Sequence, residues 1–415
     1  MSDFTFLHAA DLHLDTPFEG LSRTAPAIAE ALRDASLDAF DRLIDAALER
    51  RVAFVLLAGD VYDGPERGLR AQLRFLRGLE KLSAAGIPVF VVHGNHDPVE
   101  EGWSAIRSWP PGVHVFGSGE VERRSVERDG RVLATIHGRS FRRRAERSNL
   151  ARAFSRTGEP GLHVGLLHAN VGGQPGHDDY APCTLEDLRR ARLDYWALGH
   201  VHTRQILLRG ETWAVYPGNL QGRSFKPSEL GPKGASRVHV RSGRVERVEH
   251  LPLSPIRFEA IRVDVTGCED LGEIERRLLA RAEALGEPGV EGYLLSVELC
   301  GNFPLRDELA DSVDELARAL DDTTSGRSPW VHWARLSIAT TLPVDRAALL
   351  ERKDLLGALL RRLEALRADE EAWKALLAEV DRPLRSLPGW REAPGVDDEA
   401  LAAEIEGEAI RKLEG

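Results

Sequence analysis

Residues 52–63 read VAFVLLAGDVYD. Seven apolar residues, Val52–Ala58, end on Gly59 and Asp60, and a second carboxylate, Asp63, follows three positions later. A run this short reads as a buried strand and is far too short to span a membrane. The same ending recurs along the chain. FLHAADLHLD (6–15) runs into Asp11 and His13, and IPVFVVHGNHD (87–97) runs into Asn95 and His96. HVGLLH (163–168) stops on His168, and YWALGHVH (195–202) stops on His200 and His202. WAVY (213–216) reads as one further strand.

Amphipathic helices separate these strands. Leu37, Phe40, Leu43, Ile44, Ala47 and Leu48 recur at helical spacing over 35–50, and Leu69, Leu73, Leu76, Leu79 and Leu82 mark a second helix. The alternation predicts an α/β chain whose polar clusters sit at the carboxyl ends of strands, where such folds collect ligands.

The chain has 415 residues, 42% hydrophobic and 29% charged, the profile of a globular protein of two or three domains. No apolar run reaches membrane-spanning length, and the start MSDFTFLHAAD shows no basic-then-apolar leader. Cys183, Cys268 and Cys300 are far apart, which argues against a disulfide framework or zinc ribbon and fits a reducing cytoplasm. The net charge of −11 is unevenly spread: residues 1–255 hold 34 Lys and Arg against 32 Asp and Glu, whereas 256–415 hold 21 against 34. A polyanionic ligand for the first part is therefore compatible with the overall acidity.

The texture changes near residue 256. A compact β-α-β-α-β run is expected beyond it, with strands at 257–265, 293–299 and 330–339 and helices at 269–285 and 305–320. The division expected is 1–255, a small accessory domain at 256–341, and a helical tail at 342–415. In that tail Leu349, Leu356 and Leu363 recur at sevens, and a last helix is expected over 397–413. The leucine stripe reads as a partner-docking face, unless the tail folds back on itself to cover it.

The clusters suit a two-metal phosphoesterase. Residues two apart on a strand share a face, so Asp11 and His13 can grip one ion. Asp60 offers two oxygens and can bridge two ions about 3.5–4 Å apart. Asn95 offers a carbonyl oxygen, and His168, His200 and His202 offer nitrogens. Two divalent ions bring a charge of +4, of which Asp11 and Asp60 cancel half, leaving about +2 for a phosphodiester and an incoming hydroxide. Mixed nitrogen and oxygen ligands suit Mn²⁺, Fe or Zn²⁺ better than Mg²⁺. His96 is placed to protonate the leaving oxygen, with Asp63 holding its ring. His8 and His93 read as structural, Asp97 as a loop cap, and HDDY (177–180), in a Gly/Pro-rich loop, as solvated.

The ordered set D-x-H, G-D-x-x-D, G-N-H-D, His and G-H-x-H resembles the calcineurin-like metallophosphoesterases. Within them the chain is similar to the SbcD-type DNA repair exonucleases, and YPGNLQGRSFKPSELGPKG (216–234) to their YhaO branch. The resemblance implies a two-layer β-sandwich flanked by helices. It implies one metal on Asp11, His13, Asp60 and His202 and another on Asp60, Asn95, His168 and His200. It implies His96 as the group acting on the leaving oxygen, supported by Asp63. Manganese dependence, homodimerisation and a coiled-coil ATPase partner of SbcC/YhaN type are implied too.

Function then divides three ways. A DNA nuclease is favoured by two basic stretches: RSFRRRAERSNLARAFSR (139–156), with seven Arg against one Glu, and 204–247, with nine Lys and Arg against three Glu. Arg142, Arg143 and Arg144 are the expected phosphate contacts. A small-molecule phosphodiesterase or pyrophosphatase would use the same metals behind a smaller pocket. A non-catalytic scaffold is the third reading, opposed by the presence of Asp60, Asn95 and His96 together.

Overall fold

The structure is a computed structural model and describes residues 3–16, 26–64, 68–101, 104–174, 178–342, 346–369, 371–376, 405–407, 409–410 and 412–413. Its first sheet contains β1 (Phe4–Ala9), β2 (Val55–Ala58), β3 (Val89–Val92), β4 (Val113–Val115), β11 (Gly234–Arg241) and β12 (Arg244–Pro252). They lie in the order β12-β11-β1-β2-β3-β4, with β1 to β4 mutually parallel. The second sheet contains β5 (Glu122–Arg128), β6 (Arg131–Gly138), β7 (Leu162–His168), β8 (Tyr195–Gly199), β9 (Gln205–Leu208) and β10 (Trp213–Tyr216). Its order is β5-β6-β7-β8-β10-β9.

Both sheets are apolar on their facing sides. Phe6, Phe54, Leu56, Phe90 and Val92 from the first pack with Ile136, Val164, Tyr195 and Val215 from the second in one buried cluster. The outer face of the first sheet is covered by α1 (Pro26–Glu49) and α2 (Leu69–Ala84), through Leu37, Phe40, Leu43 and Phe75. Trp196, Leu198 and Tyr216 on the outer face of the second join Leu188 of α3 (Leu185–Arg190). The expected two-layer sandwich flanked by helices is therefore observed. The first helix begins at Pro26, nine residues before the 35–50 stretch whose periodicity reveals it. Proline fits the first turn of a helix because its missing N–H has no intrahelical partner there.

A third sheet, in the order β13-β14-β15, is built from β13 (Ile256–Asp264), β14 (Gly292–Asn302) and β15 (Trp330–Thr341). Helices α4 (Leu271–Glu283) and α5 (Arg306–Thr324) link its strands in sequence. Packing divides the chain into two compact units, one of residues 1–261, 282–296 and 321–335, the other of 262–281, 297–320 and 336–415. Among the described residues no helix is long and apolar enough to cross a membrane.

The tail folds back on itself. Leu349 of α6 (Arg346–Glu351) and Leu356, Leu360 and Leu363 of α7 (Leu355–Ala368) are buried, and Leu349, Leu356 and Leu360 pack with Leu350 and Ile410. Part of the stripe is thus covered within the tail, in part through Ile410, a residue too far along the chain for local periodicity to pair. Of the expected last helix, 405–407, 409–410 and 412–413 are helical, and the remainder lies outside the described residues.

Candidate metal centre

The two sheets bring their strand ends to one place. Asp60 follows β2 and Asn95 and His96 follow β3; His168 closes β7, and His200 and His202 follow β8. Asp11 and His13 correct one detail of the sequence reading. They do not lie on a strand, because β1 ends at Ala9, so the alternation of a strand does not aim them. They take left-handed backbone angles instead, φ 51° and 44°, as does Asp60 at 49°. Such angles are costly for residues with a Cβ and persist where surrounding structure enforces them, commonly at functional sites. The glycines of the motifs have a steric reason. A Cβ on Gly94 would strike Asp60 Oδ1, and one on Gly199 would strike the backbone oxygen of Ala58.

Ligand atoms converge in three groups, each within 4.8 Å of one another: Asp11, His13 and His202; Asp11, Asp60 and His168; and His13, Asp63 and His96. His13 Nε2 lies 3.2 Å from His202 Nε2, while the buried His13 Nδ1, with no hydrogen-bond partner among the described residues, lies 3.7 Å from Asp63 Oδ1. His168 Nδ1 is 2.9 Å from Ala58 O, which turns Nε2 toward Asn95 Oδ1 at 2.9 Å and Asp60 Oδ2 at 3.4 Å. His200 donates its backbone N–H to Asp11, and its Nε2 lies 2.8 Å from Asp178 O. Among the described residues His200 is the one proposed ligand apart from Asn95 that joins none of the three groups. This donor set, rich in buried imidazole nitrogens with two buried carboxylates, fits Mn²⁺, Fe or Zn²⁺.

Burial sets the electrostatics. It raises the Asp11 carboxyl to about 6. It also opposes ionisation of Asp60, yet His168 outweighs it and holds that carboxyl well below the usual range. Burial disfavours the His168 cation, but Asp60 and Asp11 push its pKa up to about 9. His13 goes the other way, to about 4, through burial and the nearby Arg223. His96 Nδ1 sits 2.5 Å from Asp63 Oδ1. Burial works against the His96 cation, and Asp63 more than compensates, so its pKa is raised.

A cavity of about 600 Å³ opens on these groups, lined among others by His96, His200, Asp178, Tyr180, Arg223 and Lys226. Asp178 and Asp179 are exposed, as the solvated reading of 177–180 expects, yet Asp178 and Tyr180 also line the cavity, and the Asp178 carbonyl holds His200. His177 lies outside the described residues. His8, His93 and Asp97 have structural bonds: His8 to Tyr195 and Leu198, and Asp97 to His93, Gly94 and Val61. Arg223 and Glu229, inside the stretch 216–234 but not among the expected site residues, also join the site. Arg223 reaches Asp63 Oδ2 at 2.9 Å, and Glu229 reaches His202 Nδ1 at 2.6 Å. Away from the cavity, Arg142 Nε pairs with Glu100 at 2.6 Å and Arg143 Nε lies 3.8 Å from the same carboxylate. Arg144 has its backbone N–H on Glu101.

Residues 4–204 match the profile of the calcineurin-like phosphoesterases, and 258–341 match the middle domain of metallophosphoesterase YhaO. Over 342 residues the chain is 36% identical to metallophosphoesterase YhaO of Bacillus subtilis (strain 168), covering 82% of this chain and 83% of that one. This chain belongs to the calcineurin-like phosphoesterase family. More distant relatives include the DNA double-strand break repair protein Mre11 of Aeropyrum pernix, 28% identical over 276 residues, 62% of this chain and 63% of its own. A component of the nuclease SbcCD of Bacillus subtilis is 25% identical over 281 residues, covering 60% and 69%. Every residue of the calcineurin-like motif set lies inside the matched stretch, whereas Arg223 and Glu229 lie beyond it.

Proposed function

We propose that this phosphoesterase is a metal-dependent DNA nuclease that hydrolyses phosphodiester bonds in DNA repair. The pairing of His96 with Asp63 at 2.5 Å, beside buried groups of metal-ligating atoms, is the observation that supports it most. Asp11, His13, Asp60 and His202 would hold one cation and Asp60, Asn95, His168 and His200 the other. Two divalent cations there, manganese first among them, supply Lewis acidity toward phosphate oxygens and lower the pKa of water.

The side chains do the rest. Asp63, on Nδ1 of His96, orients the imidazole so that Nε2 carries the proton taken by the departing oxygen. Burial works against the Asp63 anion, but His13 and His96, and after them the Arg223 guanidinium, hold its carboxyl well below the usual range and so ionised for that task. DNA as substrate is supported by the names of two relatives, a double-strand break repair protein and a nuclease component. A coiled-coil ATPase of SbcC/YhaN type is the partner we propose, with a homodimer as the working assembly.

The test is degradation of end-labelled duplex and single-stranded DNA by the full chain with Mn²⁺, beside bis(p-nitrophenyl) phosphate. Cleavage of DNA is expected. Turnover of the small diester alone would favour a small-molecule phosphodiesterase, and turnover of neither would favour the scaffold reading.

A further inference from the structure

Behind His202 lies a buried carboxylate. Glu229 closes the short turn Pro227–Glu229 and is 5% exposed. Its Oε1 is 2.6 Å from His202 Nδ1, and its Oε2 accepts from Asn219 Nδ2 at 2.7 Å and from the Arg223 backbone N–H at 3.0 Å. Three donors thus converge on one interior anion. An interior carboxylate costs several kcal/mol unless its lone pairs are satisfied, and here they are.

The same segment grips the backbone of His202. Lys233, itself buried, donates Nζ to His202 O at 3.0 Å and also to Ser228 O. Asn219 is steadied by Gln221 O at 2.7 Å. On the far side of the imidazole, Nε2 lies 3.2 Å from His13 Nε2 and 4.0 Å from Asp11 Oδ1. A carboxylate against Nδ1 requires the N–H there, which leaves the Nε2 lone pair directed at the Asp11 and His13 donors.

We propose that Glu229 is a positioning residue that fixes the tautomer and ring plane of His202 for a divalent cation held with Asp11 and His13. The inference rests on the metal-binding reading of the site. Glu229 touches no reacting atom and acts through His202. Because the Arg223 N–H bonded to Glu229 belongs to the residue whose guanidinium holds Asp63, one loop braces both a metal ligand and the partner of His96.

The test is calorimetric titration of Mn²⁺ into the metal-free full chain, as wild type, Glu229→Ala and Glu229→Gln, with thermal melting of each metal-free protein. In Glu229→Ala one of two sites should weaken about 10- to 100-fold, the usual effect of losing a carboxylate behind a ligating histidine, while the other keeps its affinity. Glu229→Gln should fall between, because its amide oxygen still accepts from Nδ1–H while its amide N–H₂ meets the Asn219 and Arg223 donors. It also serves if the alanine variant does not fold. Two wild-type affinities in the variants would overturn the proposal. Equal weakening of both sites with lowered melting would also overturn it, by making Glu229 a general structural residue. A wild type that binds no Mn²⁺ would remove the metal reading itself and this inference with it.

Discussion

His13 and His202, 189 positions apart, face each other through their Nε2 atoms at 3.2 Å. One stands beyond β1 of the first sheet, the other beyond β8 of the second, so the contact exists only because the sandwich has formed. Burial lowers the His13 pKa to about 4 and keeps that ring neutral at physiological pH. Two imidazoles meeting nitrogen to nitrogen can share one proton or one cation. The fold thus brings together, from parts that are separate in either sheet, side chains that could hold a cation.

Asp60 tests the shared bridge. Asp60→Asn should lower metal content by half or more and abolish hydrolysis of every diester, since both proposed ions lose an anionic ligand. Metal analysis of the purified variant, alongside a diester assay, checks this. Two ions per chain with normal turnover would refute the ligand assignment.

His96→Ala should separate binding from chemistry. Both ions should stay, while turnover falls roughly 10²- to 10⁴-fold, the usual contribution of a positioned proton donor. Substrates whose leaving group needs no proton, such as p-nitrophenyl esters, should lose least. Loss of metal together with His96 would make it a ligand.

Some of this was legible in the sequence and some was not, for physical reasons. Val55–Ala58 and Val89–Val92 are so apolar that burial between layers was the reading to make, and their polar endings pointed to the site. The convergence of Asp11 with His13 was expected for the wrong reason: it depends on left-handed backbone angles, which composition does not display. Glu229 lies inside the stretch 216–234 that carries the resemblance, but its role was not legible there, because its partner His202 lies 27 residues upstream and the bond depends on where the turn at Pro227 places it. The leucines of the tail looked unpartnered because Ile410, which covers them, is remote in sequence.

Acid stability should carry the signature of a buried histidine away from the metals. His137 Nε2 lies 3.0 Å from His163 Nδ1, and burial, then His163 and Arg123, lower its pKa to about 4 from 6.5. Between those values the unfolded chain binds a proton that the folded chain does not, so stability falls as pH drops from 6.5 toward 4 and rises in the reverse direction. The loss from this group is about 2 kcal/mol at pH 5. In urea unfolding of the chelator-treated protein, His137→Gln should narrow the gap between pH 7.5 and pH 5 by about that amount. A gap identical to wild type would mean His137 is not held neutral by the fold.

The arginines at 142–144 decide between DNA and a small substrate. Arg142 and Arg143 share Glu100 at 2.6 and 3.8 Å, and the side chains of Arg142, Arg143 and Glu100 are exposed, at 61%, 72% and 40%. Exposed pairs of this kind are worth at most about 1 kcal/mol, so a phosphate can displace the carboxylate readily. Phosphate contacts release counterions, giving DNA binding a salt slope of about −0.9 per phosphate neutralised. Replacing all three arginines with Ala should flatten the slope by roughly two to three units and weaken DNA binding with little sequence preference. Glu100→Gln should act oppositely and tighten binding, because it leaves the same arginines without their carboxylate. Neither change should alter hydrolysis of a small diester, since no side chain involved lines the cavity at the metals. The comparison belongs at matched salt, because the acidity of residues 256–415 repels DNA when screening is weak. An unaltered slope in the triple variant, with Glu100→Gln also silent, would take this patch off the DNA path.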